Sequence, residues 1–269
     1  ATANPEIEFT ESKKIELPEK KFLQDKFLKN GFSVSALNNY LECPTKFYFL
    51  NLIGMPEAPN PKAQAGNAAH GALKYAVERK VARDEFLDRF VYLLSKEPMR
   101  EIDYYELIKK GKRVLSAYYD ANHKSWNSGM KCEYAIEGVK VGDITVRGHL
   151  DRIDTLPSTN YKLPTVRVID YKFKKPAKDP NYYRQLTFYK LLIEEGSRQQ
   201  RAKSKEQMVE GILEFLEPAP NGKLKPMVFA PSKKEVVELK DEIIRVTKEI
   251  LSMEFLPKRC EDKECKYCE

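Results

Sequence analysis

The chain has 269 residues, of which 47 are Lys or Arg and 40 are Asp or Glu, and its net charge is +7. No apolar run approaches the ~20 residues of a membrane span, the N-terminus lacks the apolar core of a signal peptide, and the five cysteines, without dense spacing, argue against a secreted disulfide framework. These features predict a cytoplasmic protein without a membrane partner, while the mild basicity fits a polyanionic ligand but is weak evidence alone.

The first thirty residues mix charged and polar side chains without a helical or strand period. They predict a linker or docking arm at 1–30, followed by a domain at 31–269 whose first part, 31–127, is mainly helical. Ser33 or Ser35 is placed to cap the first helix, and Pro44 interrupts that helix or begins the next.

One histidine lies on the inward face of a predicted helix. Asn67 is a candidate cap for a helix over residues 68–80, on which His70, Leu73 and Val77 share a face. His70 is therefore either a hydrogen-bonded core histidine or a ligand at a site. Two further helices, at about 84–96 and 102–126, carry aromatic and leucine stripes that are more typical of core than of a binding surface.

The apolar period changes to two from Cys132, which predicts an α/β core over residues 131–216. One strand leads up to Asp151, and a second, after turn residues at 157–160, ends in Asp170, Tyr171 and Lys172. Antiparallel pairing would bring Asp151 and Asp170 side by side. Because side chains alternate across a strand, Asp170 and Lys172 share a face.

Two carboxylates and an ammonium at one point are typical of a metal site. Like charges repel unless a cation lies between them, and Mg²⁺ prefers oxygen ligands. A divalent ion that activates water, with Lys172 nearby to stabilise developing charge, can catalyse phosphodiester hydrolysis. The alternative is a surface ion pair at the end of a sheet.

The next predicted helix has Asp179 as its cap, Pro180 at its first position and Gly196 after its end. Gln185 and Tyr189 are four residues apart and share one face, although Tyr189 fits a core position equally well. Strands at 209–216 and 227–230 would complete a mixed sheet. Residues 225–269 then supply a strand, a capped helix and a cysteine tail.

Positive charge is concentrated beside the proposed centre. A run of charges is usually a solvated face, but this one lies where a phosphate backbone would pass. The residues are Lys172, Lys174, Lys175, Lys178 and Arg184.

Three motifs together resemble the PD-(D/E)XK nuclease superfamily in its RecB-like branch. They are Gly-His-Leu-Asp-Arg-Ile-Asp at 148–154, Ile-Asp-Tyr-Lys at 169–172 and Gln-Leu-Thr-Phe-Tyr at 185–189. Within that branch the chain is most similar to the C-terminal nuclease domain of AddB-type helicase-nuclease subunits, over about residues 31–269. The resemblance implies a restriction-endonuclease-like core, a mixed sheet flanked by helices, with an N-terminal helical insertion and a C-terminal helix plus cysteine tail.

The resemblance also implies roles for individual residues. The metal ligands would be His70, Asp151, Asp170 and the backbone carbonyl of Tyr171. Lys172 would be the catalytic lysine, with Gln185 and Tyr189 as a pair near the DNA strand. The basic residues at 174, 175, 178 and 184 would contact DNA.

Cys43, taken alone on an apolar helix, is usually a small buried hydrophobe. The resemblance instead implies that it joins Cys260, Cys265 and Cys268 around a [4Fe-4S] cluster. Family members commonly end in Cys-x-x-Cys and a later cysteine, whereas here four residues separate Cys260 from Cys265 and two separate Cys265 from Cys268. Either Cys260 is the fourth ligand or that ligand follows Glu269 in a longer chain. Structural Zn²⁺ is the rival occupant.

The function implied is a Mg²⁺- or Mn²⁺-dependent deoxyribonuclease, an exonuclease rather than an endonuclease. It would belong to a bacterial helicase-nuclease that processes double-strand breaks for repair and recombination. Its partners would be single-stranded or end-containing DNA and a helicase subunit or upstream helicase-like domain of the same chain. The alternatives are a stand-alone exonuclease, for example in CRISPR spacer acquisition, and a catalytically silent DNA-binding scaffold that keeps the fold.

Overall fold

A computed structural model describes residues 17–157, 164–199, 206–256 and 258–268. Its helices, in chain order, are α1 (Leu17–Asn30), α2 (Val34–Glu42), α3 (Pro44–Phe47, continuing as a π-helix over Tyr48–Ile53), α4 (Pro61–Arg79), α5 (Arg83–Leu94), α6 (Glu101–Asn122), α7 (Pro180–Gln199) and α8 (Lys233–Ser252). Its strands are β1 (Met130–Val141), β2 (Ile144–Thr155), β3 (Thr165–Lys172), β4 (Gln207–Phe215) and β5 (Met227–Phe229).

The N-terminal segment departs from the prediction of a linker over residues 1–30. Leu17–Asn30 form helix α1, which buries Leu23 and Phe27 in the main core. Lys20 Nζ donates to the backbone oxygen of Ser252, tying α1 to the end of α8. The apolar pair at a spacing of four is a helical signal, but the lysines and glutamates around it hide it. Residues 1–16 lie outside the described part of the chain.

Local capping chemistry explains where the early helices begin. The Ser33 hydroxyl accepts from the backbone of Ala36, so Ser33 caps α2, and Pro44 begins α3 as one of the two predicted alternatives. The predicted cap at Asn67 is wrong, because α4 begins at Pro61 and Asn60 Oδ1 accepts from the backbone amides of two residues that follow it. The pre-set φ of Pro61 favours this earlier start. His70 therefore lies in the middle of α4.

The five strands form one mixed sheet in the order β1-β2-β3-β4-β5. Strands β1, β2 and β3 are antiparallel neighbours, whereas β4 runs parallel to β3 after the α7 connection. Gly138, at the irregularity in β1, and Gly142, in the β1–β2 turn, have positive φ, which glycine adopts without steric cost. The predicted turn at 157–160 falls mostly outside the described residues.

Helix α7 is longer than predicted. It continues through Gly196 to Gln199, so Gly196 is not the residue that ends the helix. A Cβ atom at Gly196 would lie 3.2 Å from Val139 Cγ2, which explains the glycine as a close contact between α7 and β1. Packing against the sheet therefore outweighs the usual preference of glycine for helix ends.

Two apolar clusters enclose the sheet. One contains residues of α1, α2, α7 and α8 together with Val166 and Val168 of β3. The other contains residues of α4, α5 and α6 together with Ile169 and Tyr171 of the same strand. Strand β3 is thus covered on both faces, as its nearly continuous apolar sequence indicates. No helix in the described ranges has the length and apolar character needed to cross a bilayer.

Candidate active site

The site forms where the C-terminal end of β3 and the middle of β2 meet α4 and α7. Asp151 does not end its strand as predicted, because β2 continues past it to Thr155. The β2–β3 register pairs Arg152 with Ile169, so the next residues outward, Asp151 and Asp170, are neighbours across the two strands. The backbone amide of Tyr171 donates to Asp151 Oδ2 at 2.7 Å, which fixes that carboxylate beside the end of β3. The predicted proximity of the two acids is therefore what the structure shows.

Asp170 lies in a polar network that α7 supplies. Lys172 Nζ is 2.6 Å from Asp170 Oδ2, and Gln185 Nε2 donates to Asp170 Oδ1 at 2.8 Å. Gln185 Oε1 accepts from Lys172 Nζ at 3.0 Å, and Gln185 Nε2 also lies 2.8 Å from the Tyr189 hydroxyl. Gln185 thus orients both the carboxylate and the ammonium, while Tyr189 contributes its hydroxyl to the site and its buried ring to the core.

Burial disfavours the ionised form of Asp170. Its side chain is 2% exposed, and this desolvation, with the nearby charge of Asp151, raises the pKa of Asp170 to about 6 although Lys172 opposes the shift. A carboxyl group with such a pKa is stabilised as an anion by any added positive charge. The polypeptide alone therefore does not fully stabilise the ionised forms of Asp151 and Asp170 together.

His70 reaches the two acids from the middle of α4. Its Nδ1 is 3.3 Å from Asp151 Oδ1, and its Nε2 is 3.0 Å from the backbone oxygen of Tyr171. Burial alone would lower the pKa of His70, but the hydrogen bond and charge of Asp151 raise it overall. Both ring nitrogens face polar groups at the site, an environment that suits a metal ligand and a hydrogen-bonded histidine alike.

The donor atoms suit a divalent cation. Ligands at 2.0–2.1 Å in octahedral geometry are about 3 Å from their neighbours, close to the 3.3 Å that separates His70 Nδ1 from Asp151 Oδ1. Imidazole nitrogen, carboxylate oxygen and a backbone carbonyl are all ordinary ligands for Mn²⁺ or Mg²⁺. The residues present therefore fit the divalent metal that the resemblance implies, whose ligands would be His70, Asp151, Asp170 and the Tyr171 carbonyl.

Sequence reasoning missed a further acid at this site. Glu133 of β1 offers a carboxylate oxygen that, with one donor atom each from His70 and Asp151, forms a group lying within 4.8 Å of one another. Burial and the charge of Asp151 raise the pKa of Glu133. The β1–β2 register places Glu133 opposite Asp151, but that register is not evident from the sequence.

A buried ionic network beneath the site was also missed. Arg152 Nε and Nη2 donate to the two Asp154 carboxylate oxygens at 2.8 and 3.2 Å, and Arg152 Nη1 donates to the Tyr171 hydroxyl at 2.6 Å. Tyr118 donates to Glu214 beside this group. The network fixes Tyr171, whose backbone amide and carbonyl serve the site above. In the sequence, the Asp-Arg-Ile-Asp segment at 151–154 was the feature that could have indicated this network.

Four cysteine sulfurs form a second cluster, which brings together Cys43, near the start of the domain, and three cysteines of the C-terminal tail. Cys43 Sγ is 3.4 Å from Cys268 Sγ and 3.7 Å from Cys265 Sγ, while Cys260 Sγ is 3.6 Å from Cys268 Sγ. The structure therefore includes Cys260 in the group, as the first of the two alternatives predicted. All four donor atoms lie within 4.8 Å of one another, which suits a shared metal centre. The fifth cysteine, Cys132, is buried in the core away from this group.

The predicted DNA-contact residues have different surroundings. Lys174, Lys175 and Lys178 are exposed after β3. Arg184, in contrast, donates to the side-chain oxygens of Asn38 and Asn181 at 2.9 and 2.8 Å, so its guanidinium is engaged within the protein. A cleft of about 500 Å³ beside the site is lined by basic and aromatic side chains, among them Lys62, Lys110, Lys172, Phe173 and Lys174.

Comparison with known proteins agrees with this geometry. The family model of the PD-(D/E)XK nuclease superfamily matches residues 31–269. The crystal structure of a protein from Eubacterium rectale, provisionally named an exonuclease, is 11% identical and has a TM-score of 0.56, with 96% of this chain and 93% of that chain covered. At this identity the similarity concerns the fold alone.

A second solved structure, SSO0001, is 14% identical over 93% of each chain, but its TM-score of 0.32 is too low to support an argument. A search of curated proteins gave no match. Since the family model covers most of the sequence, and the mixed sheet carries Asp151, Asp170 and Lys172 as one cluster, the chain belongs to the PD-(D/E)XK nuclease superfamily.

Proposed function

We propose that this chain is a Mg²⁺- or Mn²⁺-dependent deoxyribonuclease of the RecB-like, AddB-type branch, acting in the cytoplasm on DNA. The observation that carries the proposal is the cluster of Asp151, Asp170 and Lys172 on the neighbouring strands β2 and β3, with His70 beside it. A bound divalent ion would polarise a phosphoryl oxygen and lower the pKa of a coordinated water.

The protein groups position this chemistry. Lys172 places an ammonium group beside the acids, where it can orient a nucleophile or stabilise charge that develops on the phosphate. Gln185 keeps that ammonium in place by accepting from it and by donating to Asp170. Tyr171 contributes its backbone carbonyl, and its ring is anchored by Arg152. Together these contacts reduce the reorganisation needed when substrate binds.

The cleft beside Lys172 supports a nucleic-acid substrate. Lys62, Lys110 and Lys174 supply positive charge there, and Phe173 supplies an aromatic ring on which a base can stack. This combination of cations and an aromatic ring favours a single strand or a frayed end over an intact duplex. It is the basis for preferring exonuclease action, in agreement with the name given to the structural relative.

The cellular role proposed is that of the nuclease domain in a helicase-nuclease, with a helicase subunit or an upstream helicase-like domain as partner. A [4Fe-4S] cluster holding both chain ends is the AddB-type feature, and the four cysteines supply the right set of ligands for it, although a cube of four irons requires thiolate sulfurs further apart than the 3.4–3.7 Å found here. Zinc is the second candidate, because a tetrahedral ion with 2.3 Å bonds places sulfurs about 3.8 Å apart, near the 3.4–3.7 Å found here.

The nuclease proposal is tested with labelled single-stranded and duplex DNA. Cleavage should require Mg²⁺ or Mn²⁺, stop with EDTA, and fall at least ~10²-fold in Lys172→Ala, the loss typical of an electrostatic catalytic group. Lys248→Ala, at an exposed position on α8, is the matched control. Metal-dependent cleavage that survives Lys172→Ala would refute this assignment, and no cleavage by the wild type would favour the DNA-binding scaffold.

A further inference from the structure

A second cleft lies next to the cleft that Lys172 lines, which is called the first cleft below. The second cleft has a volume of about 390 Å³ and lies between helix α6 and the loop that follows β4. Arg113 and Val114 of α6 form one wall, and Pro218 and Pro220 belong to the loop. Pockets that bind small organic groups begin at about 300 Å³, so the second cleft is large enough for a ligand.

The two clefts share a boundary. Lys174 lines the first cleft, and Lys175, the next residue, lines the second. Lys110 of the first cleft also pairs with Glu217 of the second, with 2.7 Å between Lys110 Nζ and Glu217 Oε2. Lys110 Nζ lies 5.4 Å from the centre of the Phe173 ring in the first cleft. A ligand that extends out of the first cleft along this side therefore enters the second.

The positive charge of the second cleft is not neutralised by the protein. Arg113 and Lys175 are exposed, and within the described ranges neither forms an ion pair with a carboxylate. Glu217 is the acid among the lining residues, and Lys110 balances its charge. Two unpaired cations beside an apolar surface favour a ligand that has negative charge on one side and flat or apolar groups on the other. A single strand of DNA has this composition.

We propose that the second cleft binds the DNA single strand beyond the nucleotide that reacts, with Arg113 and Lys175 on its phosphates. The inference rests on the proposed nuclease activity and extends the substrate contact from the first cleft into the second. A strand that follows this path passes the pair of Lys110 and Glu217. There the Glu217 carboxylate repels the phosphates and competes with them for Lys110. Glu217 therefore limits the affinity for strands that extend this far.

A purely structural role for the ion pair predicts different behaviour. Lys110 and Glu217, whose side chains are 34% and 13% exposed, would then only tie α6 to the loop after β4. In that case Glu217→Gln would lower the melting temperature and leave DNA affinity unchanged. On the DNA path, Glu217→Gln instead increases the affinity, because it removes a repelling charge and frees Lys110. Misfolding does not produce an increase of this kind.

The test compares oligothymidylates of about four and about fifteen nucleotides, which cover the usual site sizes of single-strand-binding folds. Fluorescence anisotropy measures their affinity with Mg²⁺ present, in protein that carries Lys172→Ala so that cleavage is slow. For the longer strand, Arg113→Ala should weaken binding and Glu217→Gln should strengthen it, each roughly two- to fivefold, the range for a charge contact near the surface. The slope of log K against log salt concentration should become shallower and steeper, respectively, by up to about 0.7. Both effects should be smaller for the shorter strand.

The matched controls are Lys248→Ala on α8 and Glu137→Gln on β1, which alter charge at exposed positions outside both clefts and should change nothing. Unchanged affinity of the longer strand in Arg113→Ala and Glu217→Gln, or equal effects on both strands, would refute the proposal. In both cases the nuclease assignment stands, provided that the wild type cleaves DNA.

A protein partner would give another result. Binding of polyglutamate that Arg113→Ala abolishes, without a change in DNA affinity, would assign the second cleft to an acidic protein segment and refute the proposal. Absence of both DNA binding and cleavage in the wild type would refute the nuclease assignment and this proposal together.

Discussion

Replacing Asp170 with Asn should inactivate the enzyme and stabilise the metal-free protein. The pKa of Asp170 is raised from 3.8 to about 6, and each unit is worth about 1.4 kcal/mol. The buried anion therefore costs roughly 3 kcal/mol at pH 8 relative to the neutral form. Asn resembles that neutral form in shape and cannot ionise, so the free energy of unfolding in EDTA should rise by this order.

The sign of the pH dependence follows from the raised pKa. The folded protein holds the Asp170 proton more tightly than the unfolded chain does, so wild-type stability falls as pH rises from 3.8 towards about 6. Asp170→Asn lacks this loss. The excess in its free energy of unfolding over the wild type should therefore be largest at pH 8 and shrink to about 1 kcal/mol at pH 4.5.

Urea unfolding of both proteins at the two pH values measures the effect. The matched control is Asp154→Asn, since Asp154 is also a buried β-strand acid but is paired with Arg152. Removing one partner of a buried ion pair costs about 3–5 kcal/mol, so this variant should be less stable. Added Mg²⁺ should stabilise the wild type more than Asp170→Asn. Destabilisation by Asp170→Asn at pH 8 would refute the reasoning.

Three further predictions concern other parts of the molecule. The double variant Lys174→Ala, Lys175→Ala should reduce the slope of log K for DNA binding against log salt concentration by roughly one to two units, because each lysine on a phosphate releases counterions. Fluorescence anisotropy measures this slope, and sequence preference should not change. An unchanged slope would place both lysines off the DNA path. Cys43→Ala should remove the metal bound by the four cysteines, lower the melting temperature and expose residues 258–268 to protease, because this metal centre would join segments more than two hundred residues apart. Elemental analysis and an assay for acid-labile sulfide distinguish an iron-sulfur cluster from zinc. A metal-free wild-type protein whose tail resists protease would contradict a metal role. His70→Ala should weaken Mn²⁺ affinity more than it lowers the melting temperature; the reverse order would make His70 a core residue.

The sequence alone determined those features that depend on neighbours along the chain. The strands that carry Asp151 and Asp170, the helical pair Gln185 and Tyr189, and the cap at Ser33 all rest on periods and hydrogen bonds within a few residues. The tight motif spacing also identified the superfamily. These local features can be predicted because side-chain direction repeats every 2 residues in a strand and every 3.6 in a helix, whatever surrounds the element.

Only the tertiary structure decided which distant residues complete each site. Glu133 lies near His70 and Asp151 because β1 pairs with β2, and Arg184 turns inward because Asn38 of α2 lies against α7. Helix α1 forms where its apolar face finds the core, and Gly196 stays helical because β1 leaves no room for a side chain. These outcomes depend on packing between elements, where steric fit and burial outweigh the local preferences that a sequence displays.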